Sequence, residues 1–306
     1  MLTARSWNYP LALAVRQATR QYWLPQRVRE KMARVLFHPS RQVTHPFRVR
    51  LDRLVYRGDF REYLDWRVFF LGSFERETVN LCRFLAGHVR HRAFLDIGAN
   101  KGLFSLLLAG RFDRVVAVEP LSGNIAKMEL AMAENGIRTI EIARCALGDA
   151  DGMAEFTLPP AGNEGIGSLV PGHVTNPSGT TLIPVRRGAA LCEELELRPG
   201  LLKIDTEGYE AAVLRGLLPV LRRDRPFLVM EIGESSKAAL AAGGGVMAHL
   251  PEDYVLLEVA EASTVRDFFL TPLAEEEMLA RTISNNLACP GEHLPLLGPY
   301  IRPRRR

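Results

Sequence analysis

A seven-residue turn, Asp96 to Gly102, contains the residues that most clearly indicate ligand chemistry. It follows an apolar run typical of a strand and precedes the helical pattern of residues 103–109. Gly98 and Gly102 allow a sharp turn and a close approach of the backbone to a ligand, next to the positive N-terminal end of a helix. The glycine spacing matches neither the dinucleotide nor the phosphate-loop pattern, and Asp96 would repel a phosphate. We therefore predict a cationic or zwitterionic ligand that carries an adenosine, and S-adenosylmethionine has this chemistry.

Further polar residues end the next two predicted strands. Glu119 is placed where an acid of a nucleotide-binding sheet reaches ribose hydroxyls, because a carboxylate can accept hydrogen bonds from a vicinal diol. Asp149 either accepts a hydrogen bond from an adenine amino group or forms a turn beside Gly148. The predicted cofactor-binding residues are Asp96, Gly98, Ala99, Asn100, Gly102, Glu119, Pro120, Ala146 and Asp149.

A second group of charged residues begins at Lys203. Lys203 and Asp205 alternate with apolar residues at the end of a predicted buried strand, and Glu207 opens the next helix. A charge in such a strand is costly unless it is paired or faces a cavity. We predict a reaction site in which Asp205 is the base or orients the acceptor, Lys203 tunes its pKa, and Glu207 and Glu231 are supporting acids. An ion pair between Lys203 and Asp205 that only orders the sheet is the alternative.

The same carboxylates offer a rival interpretation. Asp205, Glu207 and Glu231 could supply hard oxygen ligands to a divalent metal. No His-rich or Asp-Asn pattern accompanies them, so we predict no metal site. His173 lies on a glycine-rich loop near the predicted rim, and we interpret it as a surface residue rather than a base.

The elements that would position these residues begin at residue 93, where short apolar strands alternate with helices. The predicted strands cover residues 93–96, 115–119, 140–146, 201–205, 227–232 and 254–259, with a last one at either 268–270 or 286–289. This rhythm predicts an α/β fold: a mostly parallel, Rossmann-like, seven-stranded sheet with helices on both faces, which binds ligands at the carboxyl ends of its strands. Residues 149–200 are predicted to form an inserted hairpin and loop at the rim, with 153–158 paired to 181–186.

The remaining segments are assigned by charge and periodicity. We predict a basic helical segment at 1–60, a lead-in helical segment at 61–92, a catalytic domain at 93–300 and a basic tail at 301–306. Residues 1–60 contain twelve Arg or Lys and three acids. Their predicted helical faces are Leu11, Ala14, Val15 and Ala18, and Val28, Met32, Val35 and Leu36. Trp7, Tyr9, Tyr22 and Trp23 lie among the arginines, which is typical of interfacial helices. Peripheral membrane contact through residues 1–55 and a helical cap packed on the sheet are the two interpretations.

Several motifs in order resemble one known family. They are Asp-Ile-Gly-Ala-Asn-x-Gly-x-x-Ser at 96–105, Val-Glu-Pro at 118–120, Ala-Leu-Gly at 146–148, Gly-Ser-Leu at 167–169 and Leu-Lys-Ile-Asp-Thr-Glu-Gly-Tyr-Glu at 202–210. Together they resemble the FkbM family of S-adenosylmethionine-dependent methyltransferases. The resemblance implies the class I methyltransferase sheet and O-methylation, often on natural products or sugars. It also implies that Asp96, Gly98, Asn100 and Gly102 shape the methionine-side loop and that Glu119 holds the ribose; Thr206 stands where the family commonly has Val.

The predicted function is therefore O-methylation of a hydroxyl on a small molecule, a natural product, or a sugar or glycolipid. An RNA methyltransferase is an alternative motivated by the basic N-terminal segment, but no zinc site or RNA-binding motif is recognisable, and we do not expect a nucleic-acid substrate. A non-catalytic module that binds S-adenosylmethionine is the other alternative. The four cysteines, Cys82, Cys145, Cys192 and Cys289, are scattered in apolar contexts and predict reduced thiols in a cytoplasmic protein. No apolar run approaches the roughly 20 residues that span a bilayer.

Overall fold

The secondary structure alternates strands and helices along most of the chain. The computed structural model describes residues 9–20, 24–39, 44–160, 165–261 and 268–302. Its strands are β1 (Pro46–Leu51), β2 (Leu54–Asp59), β3 (Ala93–Ile97), β4 (Arg114–Val118), β5 (Ile140–Ala143), β6 (Ala146–Gly148), β7 (Gly152–Leu158), β8 (Gly179–Arg187), β9 (Leu201–Ile204), β10 (Phe227–Gly233), β11 (Tyr254–Glu261), β12 (Phe268–Pro272) and β13 (Ile283–Pro290). Its helices are α1 (Tyr9–Thr19), α2 (Gln26–Leu36), α3 (Tyr63–Leu71), α4 (Arg76–Leu85), α5 (Leu103–Leu108), α6 (Ser122–Asn135), α7 (Gly188–Glu194), α8 (Glu210–Asp224), α9 (Glu234–Ala242), α10 (Glu275–Leu279) and α11 (Leu294–Leu297). Short 3-10 turns lie at Ala109–Arg111, Met247–His249, Gly291–His293 and Gly298–Tyr300.

The central sheet has eight strands in the order β12-β11-β13-β10-β9-β3-β4-β5. Strands β5, β4, β3, β9 and β10 are parallel, whereas β13 lies antiparallel between β10 and β11. The predicted α/β class and mostly parallel centre are confirmed. The strand count differs because both candidates for the last strand form: β13 enters the sheet between β10 and β11, and β12 covers the edge of β11.

Two layers of helices cover the sheet because successive side chains of each strand point to opposite faces. Leu95 of β3 packs in the cluster that contains Val213 and Leu217 of α8, while Phe94 packs with Leu81 of α4 and Met128 of α6. All of these side chains are fully buried. Helix α4 therefore belongs to the layers around the sheet, although its residues fall in the predicted lead-in segment.

The predicted strand 140–146 is interrupted. After Ala143 the chain turns, with the Cys145 N–H donating to the Ala143 carbonyl at 3.0 Å, and it resumes as β6 in a separate sheet of order β6-β8-β7. Residues 140–146 contain no glycine or proline that would have indicated this turn. The predicted hairpin is confirmed, because β7 and β8 are antiparallel with Met153 opposite Pro184.

The N-terminal part of the chain contains a hairpin that the helical prediction missed. Strands β1 and β2 pair with Leu51 opposite Leu54. The burial of β1 alternates with a period of two, which the sequence shows at Phe47, Val49 and Leu51. The hairpin, α1, α2 and α3 enclose an aromatic core made of Phe47, Phe60, Trp66, Phe69 and Phe70.

The two predicted helices are present as α1 and α2, but the side chains that they bury differ from the predicted apolar faces. Helix α1 buries Ala12, Val15, Arg16 and Thr19. Helix α2 has Ala33 and Arg29 buried, followed by buried Phe37 at its C-cap, while Val28, Met32, Val35 and Leu36 are exposed.

Hydrogen bonds to the end of α3 explain the orientation of α1 and α2. Arg16 donates to the Phe69 carbonyl, the Thr19 hydroxyl donates to the Phe70 carbonyl, and Arg29 donates to the Leu71 carbonyl at 3.4 Å. The last carbonyls of a helix have no partners within the helix, and its C-terminal end attracts cations. These polar bonds turn the arginines inward, so the apolar strip of α2 faces outward.

Trp7, Tyr22, Trp23 and residues 303–306 of the predicted basic tail lie outside the described residues. Tyr9 packs its ring against His45 and Phe69. Among the described helices, none combines the length and the apolar character that crossing a bilayer requires. All four cysteines are free and buried.

Candidate active site

The turn after β3 depends on glycine at two positions. Gly98 has φ +77°, and a Cβ there would lie 1.8 Å from the Asp205 carbonyl oxygen. Gly102 has φ +78°, and a Cβ there would lie 2.6 Å from Cγ of Met128. Asn100 also has a positive φ, which asparagine tolerates better than most residues. The turn thus brings the ends of β3 and β9 into direct backbone contact.

Glu119 holds this turn from the next strand. Its Oε2 accepts from the Asn100 N–H at 2.9 Å, and its Oε1 accepts from the Leu121 N–H at 2.9 Å and from the Asn124 amide at 3.2 Å. Burial raises the pKa of Glu119, and these three donors oppose the shift. A carboxylate has about four acceptor positions, so Glu119 retains room for about one further hydrogen bond. This is less than the two that a bidentate diol contact needs.

A cavity of about 670 Å³ opens beside the turn. Five of the predicted cofactor residues line it: Gly98, Asn100, Glu119, Pro120 and Ala146. The sequence analysis missed Asn124, Phe156 and Tyr209, which lie in its wall on α6, on β7 and just before α8. They were missed because the interpretation considered only residues at strand ends.

Four predicted cofactor residues do not line this first cavity. Asp96 is 1% exposed, and its Oδ2 accepts from the Ser105 N–H at 3.1 Å and the Ser105 hydroxyl at 2.6 Å, so it ties β3 to α5. Asp96 and Ala99 line a second cavity, and Gly102 lines neither of the two.

Asp149 does not line either cavity, contrary to its predicted role in binding the cofactor. It is exposed and forms an ion pair with Arg215 at 2.7 Å, away from both cavities, so its position does not support a contact with adenine. The turn after β6 directs its side chain to the surface, as the structural alternative for this residue anticipated.

The second cavity is an open pocket of about 1000 Å³, including the solvent at its mouth. It adjoins the first, because Gly98, Asn100, Asp205 and Glu207 line both. Its other walls combine acids, cations and aromatic rings: Glu62, Glu75, Asp96, Glu231, Lys101, Lys203, Tyr63, Phe74 and Phe104. The four predicted catalytic residues, Lys203, Asp205, Glu207 and Glu231, are therefore brought together around one space.

Lys203 and Asp205 form an ion pair inside this cavity. The Lys203 Nζ donates to Asp205 Oδ2 at 2.7 Å and lies 4.6 Å from the centre of the Phe104 ring. Burial lowers the pKa of Lys203, but attraction to Asp205, Glu75 and Asp96 outweighs it and raises the pKa above its usual value. Lys203 is therefore a buried cation. The ion pair lies at the end of β9, and both of its residues line the second cavity.

Three further carboxyl groups have pKa values raised to neutral pH or above. Burial raises the pKa of Glu75 to about 7, that of Glu207 to about 8 and that of Glu231 to about 9, and the negative charge of Asp205 adds to each shift. Near neutral pH Glu231 therefore keeps its proton, whereas Glu75 exchanges its proton readily. A carboxyl group that titrates near the working pH is suited to general acid–base catalysis.

Glu75 is the main residue that the site prediction missed. It precedes α4 with φ 44°, a conformation that is uncommon for residues other than glycine or asparagine. Among the described residues, its Oε2 has no hydrogen-bond partner. Glu75 lies between two helices, so a search at strand ends could not find it. The strain and the unpartnered oxygen mark it as a functional candidate.

The structure also alters the grouping relevant to a metal. Carboxylate oxygens of Glu75, Asp205 and Glu231 lie within 4.8 Å of one another, so these three could hold a divalent cation, whereas the sequence analysis had grouped Glu207 with the last two. Lys203 already provides a positive charge 2.7 Å from Asp205.

Described residues of the inserted segment 149–200 line both cavities. Gly165 lines both, and Ser168, which is fully buried, donates its hydroxyl to the Glu207 carbonyl at 2.7 Å. The His173 Nε2 lies 3.3 Å from Glu207 Oε2, so this histidine contacts a residue of the site rather than solvent alone. The inserted segment therefore holds Glu207 in position through Ser168 and His173.

Glu210 stabilises the turn between β9 and α8. Its Oε1 accepts from the Thr206 N–H at 2.9 Å, the Thr206 hydroxyl at 2.9 Å and the Gly208 N–H at 3.3 Å. The hydroxyl of Thr206, where valine would have none, thus supplies one of the bonds that hold this turn.

Together these features define a class of protein. The sheet reverses its strand order at β3, where the chain passes to β4 on one side and later to β9 on the other, and ligands of open α/β sheets bind at such a point. The glycine turn, the acid after β4 and the paired cavities lie at the carboxyl ends of these strands. The protein is an α/β protein with the site of a nucleotide-type ligand beside a polar second chamber.

The comparison with known families is specific. The sequence pattern described as "Methyltransferase FkbM domain" matches residues 96–254, which is more than half of the chain. The chain belongs to the FkbM methyltransferase family, and the resemblance drawn from the motifs is confirmed.

Solved structures give weaker likenesses. An FkbM methyltransferase from Methylobacillus flagellatus KT is 17% identical with a TM-score of 0.42; the match covers 92% of this chain and 58% of that one. An rRNA methylase from Streptococcus thermophilus is 12% identical with a TM-score of 0.40, and the match covers 71% and 99%. A tRNA (uracil-54, C5)-methyltransferase from Pyrococcus abyssi, in complex with S-adenosyl-L-homocysteine, is 14% identical with a TM-score of 0.39, and the match covers 81% and 44%. No curated protein sequence matches the chain significantly. The chain thus spans a little over half the length of the Methylobacillus protein.

Proposed function

We propose that this protein is an S-adenosylmethionine-dependent O-methyltransferase whose acceptor is a hydroxyl group of a small molecule, a natural product, or a sugar or glycolipid. The observation that carries the proposal is the junction of the two cavities at Asp205 and Glu207. One cavity has the glycine turn and the buried acid of a nucleoside site, and the other has the carboxyl groups and aromatic rings that suit a polyhydroxylated acceptor. Membership of a methyltransferase family joins the two halves into one reaction.

The first cavity fits the cofactor on three structural grounds. Gly98 lines this cavity and has no side chain, so the backbone of the turn faces a ligand there. Glu119 retains room for about one hydroxyl hydrogen bond, and the wall supplies the flat surfaces of Phe156 and Tyr209 for a base. S-adenosylmethionine, when bound, supplies a methyl group on a cationic sulfur, which suits the excess of carboxylates at the junction.

The residues of the second cavity position the acceptor and receive its proton. An alcohol must lose a proton as it is methylated, and Asp205 stands at the junction with its other carboxylate oxygen not engaged by Lys203. Lys203 holds the Asp205 carboxylate in a fixed orientation. Glu75, with a pKa raised by burial to about 7, is placed to take up the proton from its neighbour Asp205. Most of the acceleration would come from holding the acceptor in line with the methyl group.

Cofactor binding is tested first because it needs no knowledge of the acceptor. Calorimetric titration with S-adenosylmethionine should show one site on the wild-type protein and at least a tenfold weaker site in Glu119→Ala. Glu141→Ala is the matched control, since Glu141 pairs with Arg114 at the surface of β5, and its affinity should be unchanged. A wild-type protein that does not bind S-adenosylmethionine would contradict the proposal.

The acceptor is then sought with methyl-labelled cofactor and panels of polyols, sugars and glycolipids. With the acceptor in hand, Asp205→Asn should bind the cofactor normally and lose turnover by roughly 10²- to 10⁴-fold, the range typical of a general base. Full turnover in Asp205→Asn would remove Asp205 from the role. Turnover that a chelator abolishes and Mg²⁺ restores would replace the proton-transfer account with metal ligation by Glu75, Asp205 and Glu231.

A further inference from the structure

The exposed apolar residues of this protein are concentrated on its two N-terminal helices. Ten large hydrophobic side chains are exposed in the described part of the chain, and six of them lie on α1 and α2: Leu11, Leu13, Val28, Met32, Val35 and Leu36. The other four lie on α6, the β7/β8 hairpin and β13. Single exposed apolar residues are ordinary, but a concentration on two adjacent helices marks an interaction surface.

Four of these residues form one continuous strip. Val28, Met32, Val35 and Leu36 follow the spacing i, i+4, i+7 and i+8, which places them on one side of α2. They are 43%, 39%, 74% and 50% exposed. We call these four residues the α2 strip.

The opposite side of α2 packs against the rest of the protein. The α2 strip is therefore not the side of the helix that belongs in the core. Phe37, just after the helix, stacks on Phe70 at 5.1 Å, and Arg29 donates to the Leu71 carbonyl. Ala33 is fully buried between them. The α2 strip therefore faces outward from a well-packed interior, and no segment among the described residues covers it.

The charges beside the strip decide which partner fits. Arg27 and Lys31 are exposed on α2, and the helix has no acid other than Glu30. The Glu30 carboxylate is engaged by Arg34 at 2.7 Å and by Arg67 at 3.6 Å. The surface around the strip is thus apolar and positive.

We propose that the α2 strip, with Arg27 and Lys31, docks the protein on an anionic lipid surface. Apolar side chains of such a helix enter the boundary between headgroups and acyl chains, and the cations attract acidic headgroups. A second copy of the chain is a poorer partner, because a symmetric contact through this strip would bring the same cations together.

Docking would place the second cavity beside the membrane. Arg34 of α2 and Arg67 of α3 both donate to the hydroxyl of Tyr63, at 3.4 Å and 3.1 Å, and Tyr63 lines that cavity. One layer of side chains therefore separates the docking helix from the chamber. An acceptor carried on a lipid would reach the chamber from this side, an extension that rests on the proposed function, whereas the docking itself does not.

The test is sedimentation of the full-length protein with vesicles of phosphatidylcholine alone or mixed with phosphatidylglycerol. The wild-type protein should sediment with the anionic vesicles and much less with the neutral ones, and high salt should release it. Val35→Asp should reduce binding at least tenfold, and the double variant Arg27→Gln/Lys31→Gln should reduce it roughly 10- to 30-fold. All three positions are exposed, and thermal unfolding and cofactor binding verify that each variant folds.

Ile283→Asp is the matched control, because Ile283 is 61% exposed on a different element, and this variant should bind vesicles as the wild type does. Equal sedimentation of the wild type and Val35→Asp would overturn the proposal, and so would a wild type that ignores anionic vesicles. Self-association in ultracentrifugation that Val35→Asp abolishes, without vesicle binding, would instead identify a second copy as the partner. Cofactor affinity is measured in parallel, so that failure of docking and failure of the proposed function are distinguishable.

Discussion

At the scale of single residues, the candidate site is a set of carboxyl groups around the buried Lys203, with Lys101 also in the cavity wall. Five acids line the second cavity around Lys203 in addition to the structural Asp96: Glu62, Glu75, Asp205, Glu207 and Glu231. Their full ionisation would place many like charges in a partly dehydrated space, so some of them keep their protons. This arrangement makes stability depend on pH in a direction that can be worked out.

Glu231 gives the clearest pH prediction. Burial and the charges of Asp205 and Glu75 raise its pKa to about 9 in the folded protein, whereas an unfolded glutamate ionises near 4.5. Between these values the unfolded state binds fewer protons than the folded state, so this residue's contribution to the free energy of unfolding falls as pH rises. Glu231→Gln cannot ionise, and relative to the wild type it should become more stable between pH 5 and pH 9 by a few kcal/mol, on the order of 1.4 kcal/mol per pKa unit.

Urea unfolding at several pH values measures this difference. Glu234→Gln is the control, because Glu234 is 76% exposed at the start of α9 and should differ from the wild type by less than about 0.5 kcal/mol throughout. A constant difference between Glu231→Gln and the wild type across the range would show that Glu231 is ionised in the folded protein.

At the scale of elements, the turn between β3 and α5 lies between the first and the second cavity and lines both. The Gly98 N–H donates to the Val118 carbonyl of β4, and the Asp205 N–H after β9 donates to the Ile97 carbonyl of β3. Three parallel strands thus end at one compact junction, with no space for a side chain at Gly98.

Gly98→Ala tests how closely this junction is packed. The new Cβ would meet the Asp205 carbonyl, a backbone atom that cannot move aside without shifting β9, and alanine also disfavours a φ of +77°. We expect a loss of at least about 2 kcal/mol in the free energy of unfolding and loss of S-adenosylmethionine binding in calorimetry.

The matched substitution is Gly123→Ala in α6, where a Cβ meets no atom within 4 Å. It should leave binding unchanged and stabilise the helix by up to about 1 kcal/mol. If Gly98→Ala behaved like Gly123→Ala, the close contact between the turn and β9 would be absent in solution.

At the scale of the whole molecule, the N-terminal aromatic core is tied to the cofactor turn by a buried ion pair. The Lys101 Nζ lies 3.0 Å from Asp65 Oδ1, with the two side chains 8% and 4% exposed. Asp65 also accepts from the Tyr56 hydroxyl and, at 2.9 Å, from the Asp59 N–H. The segment that precedes the sheet therefore helps to hold the turn in place.

Asp65→Asn would leave Lys101 buried without its counter-charge. Removing one partner of a buried pair typically costs about 3–5 kcal/mol, so we expect a loss of that size in urea unfolding and weaker cofactor binding because Lys101 is part of the turn. Asp52→Asn breaks an exposed pair with Arg83 and should cost no more than about 1 kcal/mol. Similar losses in the two variants would mean that the Lys101–Asp65 pair is hydrated.

The sequence by itself determined the features that depend on local pattern and chain order. Apolar runs of strand length separated by helical segments specified the parallel centre of the sheet, and glycines beside acids at the ends of those runs located Gly98, Glu119, Lys203 and Asp205 at one edge. This works because the carboxyl ends of parallel strands must meet at the same edge. The FkbM family membership followed from the same motifs.

Only the tertiary structure decided the features that depend on packing between distant segments. Glu75 enters the candidate site because α4 packs on the sheet, and Asp149 leaves it because the turn after β6 directs its side chain to the surface. The α2 strip faces outward because Arg16 and Arg29 cap the end of α3. Helical periodicity identifies an apolar face, but it does not say which side of the helix the rest of the molecule will cover. Unpaired carbonyls at the end of α3 settled that choice, since a buried polar group without a partner costs more than an exposed apolar side chain.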